Sequence, residues 1–287
     1  MAITATMVRE LREMTGAAMM DCKKALEAAG GDIQEAVDQL RKRGLKSAAK
    51  KAARETAEGR VLAIRSGDGR RGHLVGVACE TDFLAGSDQF KEFTSELEEH
   101  VTNCDPSGVE GGAKPLMEQP WKGSGKPAAE RIQEAVGQFG ENLRITDLVR
   151  FENPEGQIGF YIHHDNKRGA IVSVRTSADA AKAEEVLRGL CQHIVVFAPA
   201  YRTKSEVPAE DLERERAVLR ESEEVKSKPE EIRDKIVEGK LGKFYSASVL
   251  EEQPWIHDDK KSVKKALEAE LGAGTAIEAY ASVALGG

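Results

Sequence analysis

Asp82 and Phe83, within Cys79-Glu80-Thr81-Asp82-Phe83-Leu84-Ala85, set a carboxylate beside a large aromatic ring where an apolar strand ends and an amphipathic helix begins. A carboxylate resists burial, and an exposed ring leaves apolar surface in water. Such a pair is explained if it is built to enter another molecule. Bond-making chemistry finds less support. Gly67-Asp68-Gly69-Arg70-Arg71-Gly72 matches a dinucleotide fingerprint by letter. A strand follows it, however, and not the helix N-terminus that would hold phosphates, so it reads as a hairpin turn. Gly123-Ser124-Gly125-Lys126-Pro127 resembles the end of a phosphate loop. There Pro120 replaces the first glycine and Pro127 the magnesium-binding hydroxyl, which excludes it. Neither G-x-S-x-G nor H-E-x-x-H occurs. His163-His164-Asp165 sits at a strand end, where neighbouring side chains point to opposite faces, so a turn or contact surface is expected there and not a metal. No catalytic group, metal or cofactor is expected; the chain reads as a binding protein, not an enzyme.

The elements that position the pair follow from pattern. Met7, Val8, Leu11 and Met14 form one helical stripe, stopped by Thr15-Gly16. Met19, Cys22, Leu26 and Ala29 form a second, ended by Gly30-Gly31. Asp32 with Glu35 opens a third, carrying Ile33, Ala36, Val37 and Leu40. Residues 41–54 are expected as a separate basic helix, a solvated linker being the leading reading. Residues 1–58 hold eleven basic and nine acidic side chains, a weak basis for nucleic-acid binding. Met20 falls with Lys23, Lys24 and Glu27, off the apolar stripe. It is either an adaptable contact residue or packed on a neighbour.

From Gly59 the period becomes that of strands. Residues 61–64 and 73–78 flank the glycine-rich turn as a hairpin. Phe90, Phe93, Leu97 and Val101 mark a helix, residues 103–127 a variable loop, and residues 128–139 a further helix. The hairpin then recurs 97 residues on: Gly59 falls on Gly156, Arg71 on Arg168, Gly72 on Gly169 and Asp82 on Asp179. A second echo, offset by 102, carries Lys126-Pro127 onto Lys228-Pro229. Two similar halves are expected, each a small antiparallel sheet covered by helices. Because Asp82 falls on Asp179 while Ala180 stands where Phe83 should recur, the aspartate is expected as a cap shared by both halves and the ring as an acquisition of one. Leu212, Leu219 and Val225, then Ile232, Ile236 and Val237, mark a helical hairpin broken at Lys228-Pro229. Residues 262–271 read as a last helix and 276–284 as a last strand.

The 287 residues suffice for roughly two domains, with 32% charged residues and a net charge of −7. No apolar run of about 18 residues predicts a membrane span, and residues 1–4 do not resemble a secretion signal. Cys22, Cys79, Cys104 and Cys191 lack paired spacing, as reduced cytoplasmic thiols would.

Several motifs together resemble the bacterial elongation factor Ts family. Thr15-Gly16-Ala17-Ala18-Met19-Met20-Asp21-Cys22-Lys23-Lys24-Ala25-Leu26 is similar to its N-terminal motif, as are Gly31-Asp32-Ile33 and Arg43-Gly44-Leu45. Thr81-Asp82-Phe83 is similar to its core motif. Gly140-Glu141-Asn142-Leu143, Tyr161-Ile162-His163 and Val237-Glu238-Gly239-Lys240 follow in the family's order. The resemblance implies an α+β fold. Its parts would be an N-terminal ubiquitin-associated-like three-helix domain with a basic linker helix (residues 1–54) and a duplicated two-part core (residues 55–145 and 146–287), with a helical hairpin inserted at about 205–240.

It also implies exchange of GDP for GTP on elongation factor Tu, with Thr81, Asp82, Phe83 and Leu84 disturbing that partner's magnesium and phosphate site. Met19, Met20 and Lys23 would dock on its GTPase domain, and His163 would meet its other domains. Neither nucleic acid nor membrane is expected as a partner, and the hairpin could dimerise or contact the partner. Gly86-Ser87 and Asp165-Asn166 depart from the family's usual residues, and a further C-terminal helix present in some members is expected to be absent. The alternative reading is an RNA- or peptide-binding adaptor using the three-helix region.

Overall fold

The structure is a computed structural model describing residues 2–103 and 114–286. Three helices come first: α1 (Ala5–Thr15), α2 (Met19–Ala28) and α3 (Ile33–Lys51). Thr4 caps α1 by accepting the Met7 N–H, and Asp32 caps α3 by accepting that of Glu35. Gly16 ends α1 at φ 65°, a conformation open to glycine. Val8, Leu11, Cys22, Ala25, Leu26 and Ala36 form their shared core.

The expected break between the third stripe and the basic stretch does not exist: α3 is one helix through Lys51. Its only internal weak point, Gly44, serves packing. A Cβ on Gly137 would lie 2.8 Å from the Gly44 Cα, so the two backbones cross in near contact. Arg41 pairs with Glu130 and Glu134 at this crossing, and Ala48 enters the core below. The basic stretch is therefore no solvated linker. One face of it, half-buried around Ala48, packs against the rest of the molecule.

The first sheet has strands β1 (Glu58–Arg65), β2 (Arg71–Cys79) and β3 (Leu143–Glu152) in that order, all antiparallel. Between β2 and β3 lie α4 (Asp82–Gly86), α5 (Asp88–Asn103), α6 (Lys114–Glu118) and α7 (Ala128–Phe139). The loop expected over residues 103–127 thus contains a short helix, while residues 104–113, with Cys104, lie outside the described residues. The second sheet has β4 (Gly156–Ile162) and β5 (Arg168–Arg175), then α8 (Ala180–Phe197). Next come α9 (Ala209–Glu221), α10 (Glu223–Lys226) and α11 (Glu230–Ser248). A two-stranded ribbon of β6 (Pro254–Trp255) and β7 (Asp258–Ser262) leads to α12 (Val263–Leu271) and β8 (Ala276–Ala284). β8 pairs with β5, giving the order β4-β5-β8.

The repeat reaches down to single residues. β2 and β5 begin on Arg71 and Arg168, and the partner strand of each bulges opposite Gly76/Val77 and Ser173/Val174. All three positions are related by the same offset of 97. The sheets stack face to face, with helices outside both. On β2, Val75, Val77 and Cys79 face the helical layer containing Phe90, Phe93 and Leu97. Leu74 and Ala78 face Ile158 and Ile171 of the second sheet. On β5, Ala170, Val172 and Val174 face Leu187, Leu190 and Ile194 of α8. The result is an α+β molecule of four layers.

The helical hairpin breaks at Ser222 as well as at Lys228-Pro229, and its return helix runs to Ser248. Arg216–Glu238, Arg220–Asp234 and Lys240–Glu224 tie its arms together. With Val225, Val237 and Leu241 as its buried side chains, it has a thin core. Among the described residues, no helix is long and apolar enough to cross a membrane.

His73 is buried in β2 opposite Arg150, and burial together with the Arg150 and Arg71 guanidinium groups holds its pKa down at about 4. Burial also lowers the pKa values of His100 and His193. The unfolded chain protonates these groups first, near pH 6.5. Their contribution is complete above that pH and is lost as pH falls below it, for His73 down to about 4. Urea titrations at pH 7 and pH 5 should differ by about 2 kcal/mol from His73 alone, and His73→Gln should flatten that part of the slope.

Candidate functional site

The Asp82–Phe83 pair sits on a five-residue helix with two unlike faces. Thr81 caps α4, its Oγ1 accepting the Leu84 N–H at 3.2 Å. The cap expected of Asp82 therefore belongs to its neighbour. In the second half Asp179 itself caps α8 through the Lys182 N–H, so the cap has moved by one residue and Asp82 is left free to point outward. Leu84 and Ala85 are buried in the core, whereas Asp82 is exposed and Phe83 is 86% exposed. Among the described residues Phe83 is the most exposed large apolar side chain. The departure at Gly86-Ser87 is absorbed locally, since Ser87 Oγ accepts the Phe90 N–H at 3.1 Å and starts α5.

The segment is held by groups that sequence reasoning did not single out. The β2–β3 ladder ends at the pair Cys79–Leu143. Beyond it, the Glu80 carboxylate accepts the Asn142 N–H at 2.5 Å. In return the Glu141 carboxylate accepts the Thr81 N–H at 2.9 Å and the Thr81 hydroxyl at 2.6 Å. Arg54, just past α3, reaches both Glu80 oxygens at 3.3 Å, and Asn142 Nδ2 donates to the Arg54 carbonyl at 2.9 Å. The buried Cys79 thiol donates to the Thr81 carbonyl at 3.3 Å. Burial and the Glu141 charge push its pKa up to about 12, so it stays a neutral donor and not a reactive thiolate. Glu141 and Asn142 were visible only as part of a motif; their role needs the register of β2 on β3.

The other sequence-derived candidates lie on separate elements. Met19 and Met20 are exposed at the start of α2, and Lys23 pairs with Glu27 one turn on. Met19 thus lies outside the buried stripe assigned to it, because it is the first residue of α2 and precedes the contact with α1 and α3. The exposed Met14 adds a third methionine around the α1–α2 turn. A groove of about 580 Å³ runs between α3 and α7, lined by Met14, Ala18, Asp21, Arg41, Gly44 and Gln138. A second cleft of about 390 Å³ sets Glu13 and Met14 beside Gln89 and Glu92 of α5, the helix that follows the Phe83 segment.

His163 is half-buried in the β4–β5 turn, its Nδ1 3.0 Å from the Tyr161 hydroxyl. Asn166 takes the left-handed position of that turn at φ 58°, which asparagine tolerates. Lys167 of the same turn pairs with Glu58 at 2.5 Å, and Glu58 pairs with Cys79 across β1–β2. The structure therefore brings the His163 turn to the end of the first sheet from which the Phe83 segment leaves.

The two faces of α4 separate in stability. Leu84→Ala should cost about 2–4 kcal/mol, as removal of a buried leucine does. Phe83→Ala should change the free energy of unfolding by less than about 0.5 kcal/mol, as expected of an exposed side chain. Thermal and urea melts of the two variants check this, and a large loss for Phe83→Ala would place the ring in the core.

A family pattern described as elongation factor TS matches residues 80–287. Elongation factor Ts of Aquifex aeolicus strain VF5 is 38% identical over 289 aligned residues, covering 100% of this chain and 99% of its own. The elongation factors Ts of Trichlorobacter lovleyi and Syntrophotalea carbinolica are 38% and 39% identical, covering 100% of this chain and 93% and 94% of their own. With most of its length matched by the family pattern and all of it aligned to such relatives, the chain belongs to the elongation factor Ts family.

Proposed function

We propose that the protein is a guanine nucleotide exchange factor for elongation factor Tu, acting in the cytoplasm during the elongation step of protein synthesis. The observation that carries this reading is the exposure of Phe83 beside the exposed Asp82, on a helix whose underside is anchored by Leu84 and Thr81. Burying a phenylalanine side chain in a partner is worth about 1.5–3 kcal/mol. That energy is not spent in the free chain.

A GTPase holds its nucleotide by backbone amides, a lysine and a magnesium ion that offsets phosphate charge. A factor lowers nucleotide affinity by binding the empty state more tightly, and by no other route. In this reading Phe83 wedges between elements of the GTPase domain near the magnesium site. Asp82 brings a carboxylate to the polar groups that order the metal. Phosphate charge left without its cation then favours GDP release. Leu84 and Thr81 act from below by fixing the wedge, not by entering the partner. Met19 and Met20 supply adaptable apolar contact at a second point, Lys23 a rim charge, and His163 a third contact. No covalent bond is made or broken.

The adaptor reading keeps one observation in its favour: Lys42, Lys46 and Lys50 lie one turn apart on the exposed side of α3. It predicts RNA binding that weakens steeply with salt.

Stopped-flow release of fluorescent GDP from elongation factor Tu tests the exchange reading. Micromolar protein should accelerate release, and Phe83→Ala should lower that acceleration by roughly tenfold or more. No acceleration by the intact chain would sink the proposal. Met19→Ala with Met20→Ala should weaken partner binding by about tenfold, a change of about 1.4 kcal/mol, while leaving the melting temperature unchanged. Unaltered titration calorimetry would remove the second contact point.

A further inference from the structure

The β2–β3 ladder does not stop where its backbone pairing stops. Antiparallel register continued past Cys79–Leu143 sets Glu80 opposite Asn142 and Thr81 opposite Glu141. At these two positions side-chain carboxylates take the place of backbone carbonyls. Glu80 of one strand end receives the N–H of Asn142, and Glu141 of the other receives the N–H and hydroxyl of Thr81. The carboxylates cross reciprocally, each half-buried, and Arg54 closes the Glu80 side. Charged acceptors make such hydrogen bonds about twice as strong as neutral ones.

We propose that Glu141, with Glu80, Asn142 and Arg54, forms a positioning clasp that fixes the angle at which α4 presents Phe83. Two observations carry it. The clasp grips Thr81, the cap residue of a helix only five residues long, and so grips the one point from which Phe83 is aimed. The second half of the molecule supplies an internal control. The register there continues to Thr176 opposite Thr275, which meet only through their hydroxyls at 3.4 Å. At the offset of 97, Ser177 stands for Glu80, Ala178 for Thr81 and Ala180 for Phe83. The clasp and the ring are present together in one half and absent together from the other, although both halves keep the strands, the bulge and the following helix. A clasp needed merely to hold a strand end would be wanted in both.

The clasp also joins three elements. Arg54 lies just beyond α3, and Gly140-Glu141-Asn142 lie between α7 and β3. The helices that cross at Gly44 and Gly137 therefore both end at the point that aims Phe83.

This inference rests on the exchange reading for its functional consequence, but its physical content does not. The experiment has two arms. In the first, Glu141→Ala, Glu141→Gln and Thr81→Val are assayed for GDP release across a range of protein concentrations. Glu141→Ala should lower the saturating rate about tenfold, since small misplacements of a positioned group cost that much or more. The half-saturating concentration should move less than about threefold, and Glu141→Gln, which keeps one acceptor, should recover most of the rate. In the second arm, 4-fluorophenylalanine is placed at position 83 and its fluorine resonance recorded in the free protein. The line should narrow and shift in Glu141→Ala and Thr81→Val. Wild-type saturating rates together with an unchanged fluorine line in folded variants would overturn the clasp. If Glu141→Ala does not fold, Glu141→Gln and Thr81→Val decide by the same readouts. If the wild-type chain fails to release GDP, the exchange reading falls while the fluorine arm still decides the clasp.

Discussion

Burial of the two central strands on both faces is the constraint from which the rest of the structure follows. β2 has a helical layer on one side and the second sheet on the other, and β5 is held in the same way from the opposite direction. A strand buried on both faces has no solvent side to tolerate a slip of register, because a shift by one residue would exchange every contact. That fixed register carries outward. It sets where the ladders bulge, where β2 ends and which residues of the α7–β3 connection meet the start of α4. An exposed aromatic ring can be held at a defined angle on so short a helix only because the strand beneath it cannot move.

The sequence made this constraint half visible. The runs at 73–78 and 170–174 are apolar without alternation, which is the pattern of strands covered on both sides. Reading each half as a small antiparallel sheet covered by helices accounts for one layer and leaves out the stacking of the sheets. β8 was found at its full extent, and α12 within one residue, because each is bounded by clear breakers and a single period. The separation of α3 into two helices failed for the opposite reason. Its apolar stripe ends at Leu40, and what continues the helix is packing at Gly44 and Ala48, small residues that carry no hydrophobic signal. The β6–β7 ribbon escaped notice because its five-residue strand reads as a charged loop and pairs with only two residues.

The candidate site divides along the same line. Phe83 announced itself through residue type alone, since a large ring beside a carboxylate at a junction is costly in isolation. Thr81 and Leu84 were drawn in as its neighbours, and the structure gives them a different setting: one grips the frame and the other fills the core. Glu80, Glu141, Asn142 and Arg54 could not be recognised from spacing. They are separated by up to 88 residues and come together only through strand register and the end of α3. Local pattern exposes what a residue costs; it does not expose which distant residue meets that cost.

The crossing of α3 on α7 has a consequence for how the molecule can be engaged. α3 is a single rod of nineteen residues, about 28 Å long, anchored midway by backbone contact at Gly44. The methionine turn rests against that crossing, with the Thr15 carbonyl accepting from Gln138 Nε2 at the end of α7 and Met14 beside Gln89 and Glu92 of α5. In the proposed exchange role the turn and the aromatic ring would therefore form a bivalent ligand with a stiff spacer. Two contacts on a slack tether give the second a millimolar effective concentration toward many surfaces. On a stiff spacer that value rises steeply for a surface whose two receptors match the span and falls to almost nothing for others. Selectivity in that role would reside in a fixed separation as well as in side chains, and a graft that kept both contact points but loosened the crossing would bind more kinds of surface, each more weakly.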